Sequence, residues 1–296
     1  MAVNAGVLPA AQAGTVTLGG DLTVNRMGFG AMRLTGKGIW GPPADREAAL
    51  ATLRRAVELG VNFIDTADSY GPDVSEELIA EALWPYPAGL VIASKAGWVR
   101  HGPLIWQHNA APGHIAEAIE GTLKRLRLER IDVYQLHVPD PAVSFDASME
   151  AIAKLREQGK VRHVGLSNVT LEHIERARRI VPIVSVQNRY SFSDREWDYV
   201  LDYCEKNGIV FIPWGPMAQM RKANEVVEKI AAARGVSTGV VSLAWLLRRS
   251  PAMLPIPGTS QVKHLEENVG AAGFRLTDAE FAQMNAVTPR PYWLRG

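Results

Sequence analysis

The chain has 296 residues, a formal net charge of +1 and a single cysteine, Cys204. That length can bury a large core and suits an α/β barrel, while the near-neutral balance, without a basic run, excludes a general attraction to nucleic acid or an anionic membrane. One cysteine excludes an intramolecular disulfide and fits a reducing compartment, and no apolar run reaches the length of a membrane span.

In chain order, the opening "MAVNAGVLPAAQAG" lacks the charged start and continuous apolar stretch of a secretory signal. A loose tail is expected over 1–14, and the protein is expected to be cytoplasmic. "TVTLGGDLTVNRMGFG" reads as a hairpin with β-rich residues on both sides of Gly19-Gly20. Helix and strand then alternate. "DREAALATLRRAVELG" is an amphipathic helix closed by Gly60, and "VNFID" is a short buried strand. "SEELIAEALW" is a helix with Ser75 at its N-cap, before the strand "LVIASK". The alternation continues with "GHIAEAIEGTLKRLRL" and "IDVYQLH", "DASMEAIAKLREQG" and "VRHVGLS", and "LEHIERARRI" and "IVSVQ". "REWDYVLDYCEKNG" precedes "IVFIPW"; "ANEVVEKIAAARG" and "STGVVSLAWLLRRS" precede "AMLPIPG"; "QVKHLEENVGAA" and "TDAEFAQMNAV" are closing helices. Cys204 is expected to pack inside its helix. Counting from "NRMGFG", eight strands alternate with helices and predict one (β/α)8 barrel domain over 1–296, its bottom capped by the hairpin.

In such a barrel, chemistry gathers at the C-terminal ends of the strands. Those ends carry Asp65, Lys95, His137, Ser167-Asn168, Gln187 and Trp214 in succession, followed by "IPGTS" after the eighth strand. Tyr70 lies five residues beyond Asp65. A phenol is a weak acid, with an ordinary pKa near 10. An ammonium about 4 Å from its oxygen, at an effective dielectric of about 20, favours the phenolate by about 4 kcal/mol, or roughly three pKa units at most. Lys95 is therefore expected to draw Tyr70 toward the working pH as a general acid. Asp65 keeps Lys95 charged, and His137 holds a carbonyl oxygen. Asp68 is expected to be a solvated loop acid or a helix cap. No His/Cys/Asp cluster has metal-ligand spacing, so no metal is expected.

Several segments in order resemble the aldo-keto reductases over nearly the whole chain. "GVNFIDTADSYG" is similar to the family's aspartate–tyrosine signature, "IASKAG" to its lysine segment, "YQLHVPD" to its histidine segment and "VGLSNVT" to its Ser-Asn motif. "MRLTGKGIWGPP", "VGLSNVT" and "IPGTSQVKHLEEN" look most like the bacterial pyridoxal-reductase-like branch.

The resemblance implies NAD(P)H-dependent, reversible reduction of an aldehyde or ketone, with Asp65, Tyr70, Lys95 and His137 as the catalytic residues. It implies a nicotinamide cofactor held without a Rossmann fold. Consistently, "GFGAMR" has Arg33 where the third glycine of a dinucleotide fingerprint belongs. By resemblance, Ser167, Asn168 and Gln187 bind the carboxamide and Trp214 stacks on the ring, with Gly215, Pro216 and Met217 beside it. Gly30, Ala31 and Met32 border the pyrophosphate or ribose. Ile256, Gly258, Thr259, Ser260, Lys263 and His264 meet the phosphate end, where a helix N-terminus favours an anion, and Glu267 and Asn268 hold adenine. Gly258 and His264 stand where many members carry lysine and arginine, which leaves Lys263 as the only strong cation near that segment. NADPH is favoured and NADH is possible. The short segment "WGPMAQMRKANEV" lacks the long cofactor-clasping loop of some relatives, so easier cofactor exchange is expected.

Trp40, Trp98, Trp106 and Tyr190 follow strands and are expected to wall a small-molecule pocket, with Trp293 folding over it. Trp84, Trp197 and Trp245 fall in helical patterns and are expected in the core. Two other readings stand at this point. One is a barrel enzyme using Lys95 as a Schiff base, which the adjacent Asp65 disfavours because that lysine must be neutral. The other is a redox-sensing regulatory subunit of the same fold with little turnover.

Overall fold

In the computed structural model, residues 7–216 and 225–288 are described. The first ordered element is a 3-10 turn at Pro9–Ala13. Ala10 is fully buried and its N–H donates to Leu59 O at 3.0 Å. The loose tail expected over 1–14 is therefore corrected for 9–13: a small apolar residue docks where the chain has a backbone acceptor to meet. Strands β1 (Thr15–Leu18) and β2 (Leu22–Asn25) pair antiparallel. Gly19 and Gly20 turn between them with φ of +62° and +84°, which glycine adopts without penalty.

The rest alternates as β3 (Phe29–Gly30), α1 (Arg46–Glu58), β4 (Phe63–Asp65), α2 (Val74–Leu83) and β5 (Val91–Ala96). A second antiparallel pair, β6 (Trp98–Gly102) and β7 (Ile105–His108), interrupts the rhythm where the sequence pattern predicts a loop. Then come α3 (Pro112–Leu126), β8 (Ile131–Leu136), α4 (Phe145–Glu157), β9 (Val161–Ser167), α5 (Leu171–Ile180) and β10 (Ile183–Gln187). They are followed by α6 (Asp198–Lys206), β11 (Val210–Phe211), α7 (Glu225–Arg234), α8 (Thr238–Arg249), α9 (Val262–Gly270) and α10 (Asp278–Asn285). Local chemistry sets the helix starts. Asp45, Ser144 and Ser237 accept N-terminal amides of α1, α4 and α8, Thr277 with Glu280 forms a capping box on α10, and Pro112 opens α3. Ser75 is not the expected cap. Asp73 occupies that position, and Ser75 lies inside α2, its Oγ accepting from Thr66 Oγ1 at 2.8 Å.

Seven strands form one parallel sheet in the order β3–β4–β5–β8–β9–β10–β11. The eighth expected strand is an extended segment instead. Phe211 N–H donates to Ala252 O, Leu254 N–H to Phe211 O and Gly28 N–H to Pro255 O, each at 2.9 Å. Residues 252–255 thus join β11 to the entry of β3 and close an α/β barrel. Pro255 and Pro257 lack N–H groups, so a regular ladder cannot run there. Every residue of β5 and β10 is buried, as strands covered on both faces require.

Two cores result. Alternate strand residues, among them Phe63, Val91, Val133, Val184, Val210 and Leu254, cluster with Leu18, Leu22 and Val24 of the hairpin. A larger shell lies between strands and helices and contains Cys204, whose thiol burial pushes up to about 12. Trp245 is fully buried and Trp197 partly, as expected. Trp84 is not: it follows the end of α2, is 50% exposed and stacks under Arg127. Among the described residues no single helix is long and apolar enough to cross a membrane.

Candidate active site

The parallel register sets neighbouring strand ends side by side: Asp65 closes β4, Lys95 lies near the end of β5, and His137 follows β8 directly. All are buried, with Lys95 at 0%, Asp65 at 2%, Tyr70 at 6% and His137 at 7% exposure. Lys95 Nζ donates to Asp65 Oδ2 at 2.6 Å, Thr66 O at 2.8 Å and the Tyr70 hydroxyl oxygen at 3.4 Å. An ammonium has three N–H donors and no acceptor. All three are therefore engaged, and Tyr70 receives a hydrogen bond while its own proton stays available to another acceptor. The Tyr70 and His137 rings meet edge-on with centroids 5.8 Å apart.

Electrostatics revise one expectation. Burial raises the Tyr70 pKa; Lys95 pulls it down and Asp65 pushes it up, and the net direction is upward, not toward neutrality. The ammonium is close enough, but desolvation of a phenolate in this cleft outweighs it. Burial alone would lower Lys95, yet Asp65 and Tyr70 outweigh that loss and hold its pKa above the ordinary value. Burial, then Lys95, hold His137 well below its usual pKa, so its ring is neutral at pH 7. Ser69 Oγ approaches His137 Nδ1 at 3.5 Å.

Asp68 is also corrected. It is 8% exposed rather than solvated, and burial followed by Glu76 push its carboxyl well above the carboxylate range. It does not cap α2 with its side chain; Asp73 N–H meets its backbone carbonyl. The loop after β4 buries Asp68 within electrostatic reach of Glu76 on α2.

Around this centre, amide and hydroxyl groups form a second cluster. Gln187 Nε2 and Gln135 Nε2 donate to Asp65 Oδ1 at 2.8 and 3.1 Å. Asn168 adopts φ of +57°, a conformation Asn tolerates. Its Nδ2 donates to His137 O and Ser167 Oγ, and its Oδ1 accepts from Trp214 Nε1 at 3.0 Å. Among the described residues, what remains is the hydroxyl proton of Ser167, one lone pair of Asn168 Oδ1 and the Oε1 of Gln187. One donor and two acceptors match a primary carboxamide, which offers one acceptor and two N–H donors.

Closure brings the ends of the ring together. A Cβ at Gly30 meets Ile256 O at 2.7 Å, and one at Gly258 meets Gly30 O at 2.5 Å, so both glycines permit two backbones to touch. Ala31 is fully buried and Met32 half-buried beside them. Thr259 Oγ1 accepts from Gln261 N just before α9; Ser260 is half-buried. Lys263, His264 and Glu267 are exposed on α9 and Asn268 is buried. Lys263 is not the only cation near this segment. The exposed Arg33 passes it, its Cγ lying 3.6 Å from a Cβ placed on Gly258. Some 225 residues separate the two in sequence, and only ring closure unites them.

Trp98 flanks His137 with ring centroids 6.5 Å apart, meets Trp106 at 5.8 Å and stacks on His108 at 4.3 Å. Trp40 bridges to Gly71, next to Tyr70. Tyr190 does not join this wall. It is fully buried against Phe211 and Trp245 and donates its hydroxyl to Asp198, because the chain after β10 turns inward to pair Tyr190 N–H with Trp214 O. Gly215 and Pro216 follow Trp214, whereas Met217 and Trp293, and most of the short segment after the seventh strand, lie outside the described residues. The sequence reading missed Gln135, two residues before His137 on the same strand face, a spacing that pointed to it. It assigned no role to Ser69 or Arg33, although each adjoins a residue it did assign, Tyr70 and Met32, nor to Arg100, whose partners are distant in sequence.

The aldo/keto reductase family matches residues 26–289. An uncharacterised oxidoreductase of Schizosaccharomyces pombe is 50% identical over 278 residues, covering 93% of this chain and 90% of its own. Pyridoxine 4-dehydrogenase of Escherichia coli is 40% identical over 281 residues, covering 93% and 98%. A crystal structure of an aldo-keto reductase from Klebsiella pneumoniae in complex with NADPH superposes with a TM-score of 0.79 at 26% identity, covering 94% and 96%.

Proposed function

The chain belongs to the aldo/keto reductase family, and we propose that it reduces a carbonyl substrate to an alcohol with NADPH, reversibly, through Tyr70. The observation that carries this reading is the three-way engagement of Lys95, which donates to Tyr70 rather than accepting from it and so leaves the phenolic proton for the substrate oxygen. NADPH, when bound, supplies the hydride to the carbonyl carbon. Ser167, Asn168 and Gln187 hold its carboxamide by the donor and acceptors they retain, with Trp214 as the stacking face. Gly30, Ala31, Met32, Gly215, Pro216, Ile256 and Gly258 border it. Thr259, Ser260, the start of α9, Lys263, His264 and Arg33 receive its phosphates, and Glu267 and Asn268 its adenine.

The substrate oxygen sits between Tyr70 and His137. A Ser69 hydroxyl donating to Nδ1 fixes the tautomer with Nε2–H toward that oxygen. As charge builds on the oxygen, Tyr70 passes its proton and the resulting phenolate faces the Lys95 ammonium. Asp65, held by two amides, keeps that ammonium charged. A lysine so held is a poor Schiff-base nucleophile, which speaks against that alternative. The barrel's other end is plugged by β1–β2 on this reading, supported by the packing of Leu18, Leu22 and Val24 against the inner core.

The aromatic wall and the pyridoxine-dehydrogenase relative favour a flat aromatic aldehyde of the pyridoxal type. The test is consumption of NADPH and NADH against pyridoxal, small aldehydes and ketones. Turnover with NADPH and pyridoxal is expected; tight NADPH binding without turnover on any carbonyl contradicts the reading and favours the regulatory one.

A further inference from the structure

Arg100 lies on β6, is 8% exposed, and carries a buried charge with no carboxylate paired to it among the described residues. A guanidinium has five N–H donors in a fixed plane. Here all five meet backbone carbonyls. Nε donates to Ile105 O at 3.1 Å, Nη1 to Ile39 O at 2.8 Å and Ser69 O at 3.1 Å, and Nη2 to Gly38 O at 3.0 Å and Gly102 O at 3.3 Å. The guanidinium also lies 3.8 Å from the Trp106 ring centroid and 5.8 Å from that of Trp40.

These acceptors belong to three separate segments: the 36–41 loop that carries Trp40, the 66–71 loop that carries Ser69 and Tyr70, and the β6–β7 hairpin that carries Trp98 and Trp106. Leu104 N–H donates to Gly38 O, and Gly41 N–H to Gly71 O, at the same junction. Neither loop has a ladder of its own, and Ile39 is held at φ of +58°, a conformation a β-branched residue rarely adopts. Internal turn bonds and single backbone links such as Gly36 N–H to Gly41 O shape the loops, and among the described residues Arg100 is a side chain that bonds all three segments.

We propose that Arg100 is the positioning residue that assembles the substrate wall: it fixes Trp40 and Trp106 and the Ser69 carbonyl relative to Tyr70, and thereby selects flat aromatic aldehydes over small ones. It rests on the reductase reading of the same site. With every donor engaged on the backbone, Arg100 has none left for an anionic group of the substrate, so its effect is on shape and not on charge. A small aldehyde needs Tyr70 and His137 alone, whereas a flat ring needs the wall preformed.

The test uses Arg100→Lys, which keeps the charge and loses the planar fork, alongside Arg100→Met. Hydrogen exchange is read over 36–41, 66–71 and 98–108, and KM and kcat are measured for pyridoxal, pyridoxal phosphate and a three-carbon aldehyde. Exchange should quicken by about tenfold or more in all three segments, and KM for pyridoxal should rise about tenfold while the small aldehyde changes by less than about threefold. NADPH affinity should stay within about twofold. Unchanged exchange, or equal losses for both aldehydes, overturns the proposal. So does a selective loss for pyridoxal phosphate, which makes Arg100 an anion binder. If the wild-type protein reduces no aldehyde, the reductase reading fails while the exchange measurement still decides whether Arg100 joins the loops. If Arg100→Met does not fold, Arg100→Lys decides alone.

Discussion

Replacing Lys95 by methionine removes the charge that faces Tyr70 while keeping most of the side-chain volume. Its Nζ is 3.4 Å from the Tyr70 oxygen. Two unit charges at that distance, at an effective dielectric of about 20, interact by about 5 kcal/mol. If about half the charge has developed in the transition state, about 2.5 kcal/mol is lost; if all of it has, about 5. The kcat of Lys95→Met should therefore fall by roughly a hundredfold to several thousandfold. Stability falls too, because Asp65 is left buried with only the Gln135 and Gln187 amides. Breaking such a pair costs about 3–5 kcal/mol, on the order of 10 °C in Tm for a chain of this size. The double variant Lys95→Met/Asp65→Asn removes that orphaned charge, so its Tm should recover most of the loss while kcat stays low. The assay is steady-state reduction at saturating NADPH beside thermal unfolding of all four proteins in the cycle. The reasoning fails if Lys95→Met loses less than about tenfold in kcat, or if the double variant regains activity along with stability.

With Tyr70 raised by burial, kcat for reduction needs the protonated phenol and should be flat through neutral pH, declining only above about 10; oxidation needs the phenolate and should climb over the same range. A break near pH 6.5 contradicts this, since His137 is held neutral there. Asp68 has a folded pKa raised well above its unfolded value, so its contribution to stability is present at low pH and lost as pH rises through the folded pKa. Asp68→Asn should match wild type in Tm at acid pH and exceed it at alkaline pH; an equal or lower Tm at alkaline pH refutes the assignment. Arg33→Ala and Lys263→Ala should each raise KM for NADPH by about three- to tenfold. Lys263→Ala should affect NADPH more than NADH, and equal effects on both contradict its placement at the extra phosphate.

The barrel was legible because its determinants are local. Short β-branched runs buried on both faces, helices with their own caps and Gly19-Gly20 at the hairpin can each be read within a few residues. So can strand ends: Asp65, Lys95 and His137 are inward-facing at the positions where parallel strands stop, and one register unites them. The missed features depend on partners distant in sequence. Arg33 reaches Gly258 through ring closure. Arg100 is a surface-type residue until three loops fold around it. Tyr190 looked like a rim aromatic because a strand precedes it, and only the inward turn to Trp214 shows otherwise. The direction of the Tyr70 shift is not legible in the sequence for a related reason: proximity to Lys95 can be inferred from spacing, whereas the depth of burial that outweighs it is a property of the whole fold.

The most direct test of the central claim, that the Tyr70 hydroxyl delivers the proton, is Tyr70→Phe. It deletes one oxygen and leaves the ring that packs against His137. Loss of NADPH absorbance on mixing with pyridoxal should slow by at least about a thousandfold, with the dissociation constant for NADPH within about twofold of wild type. Near-normal turnover in that variant, or loss of NADPH binding in place of turnover, contradicts the account.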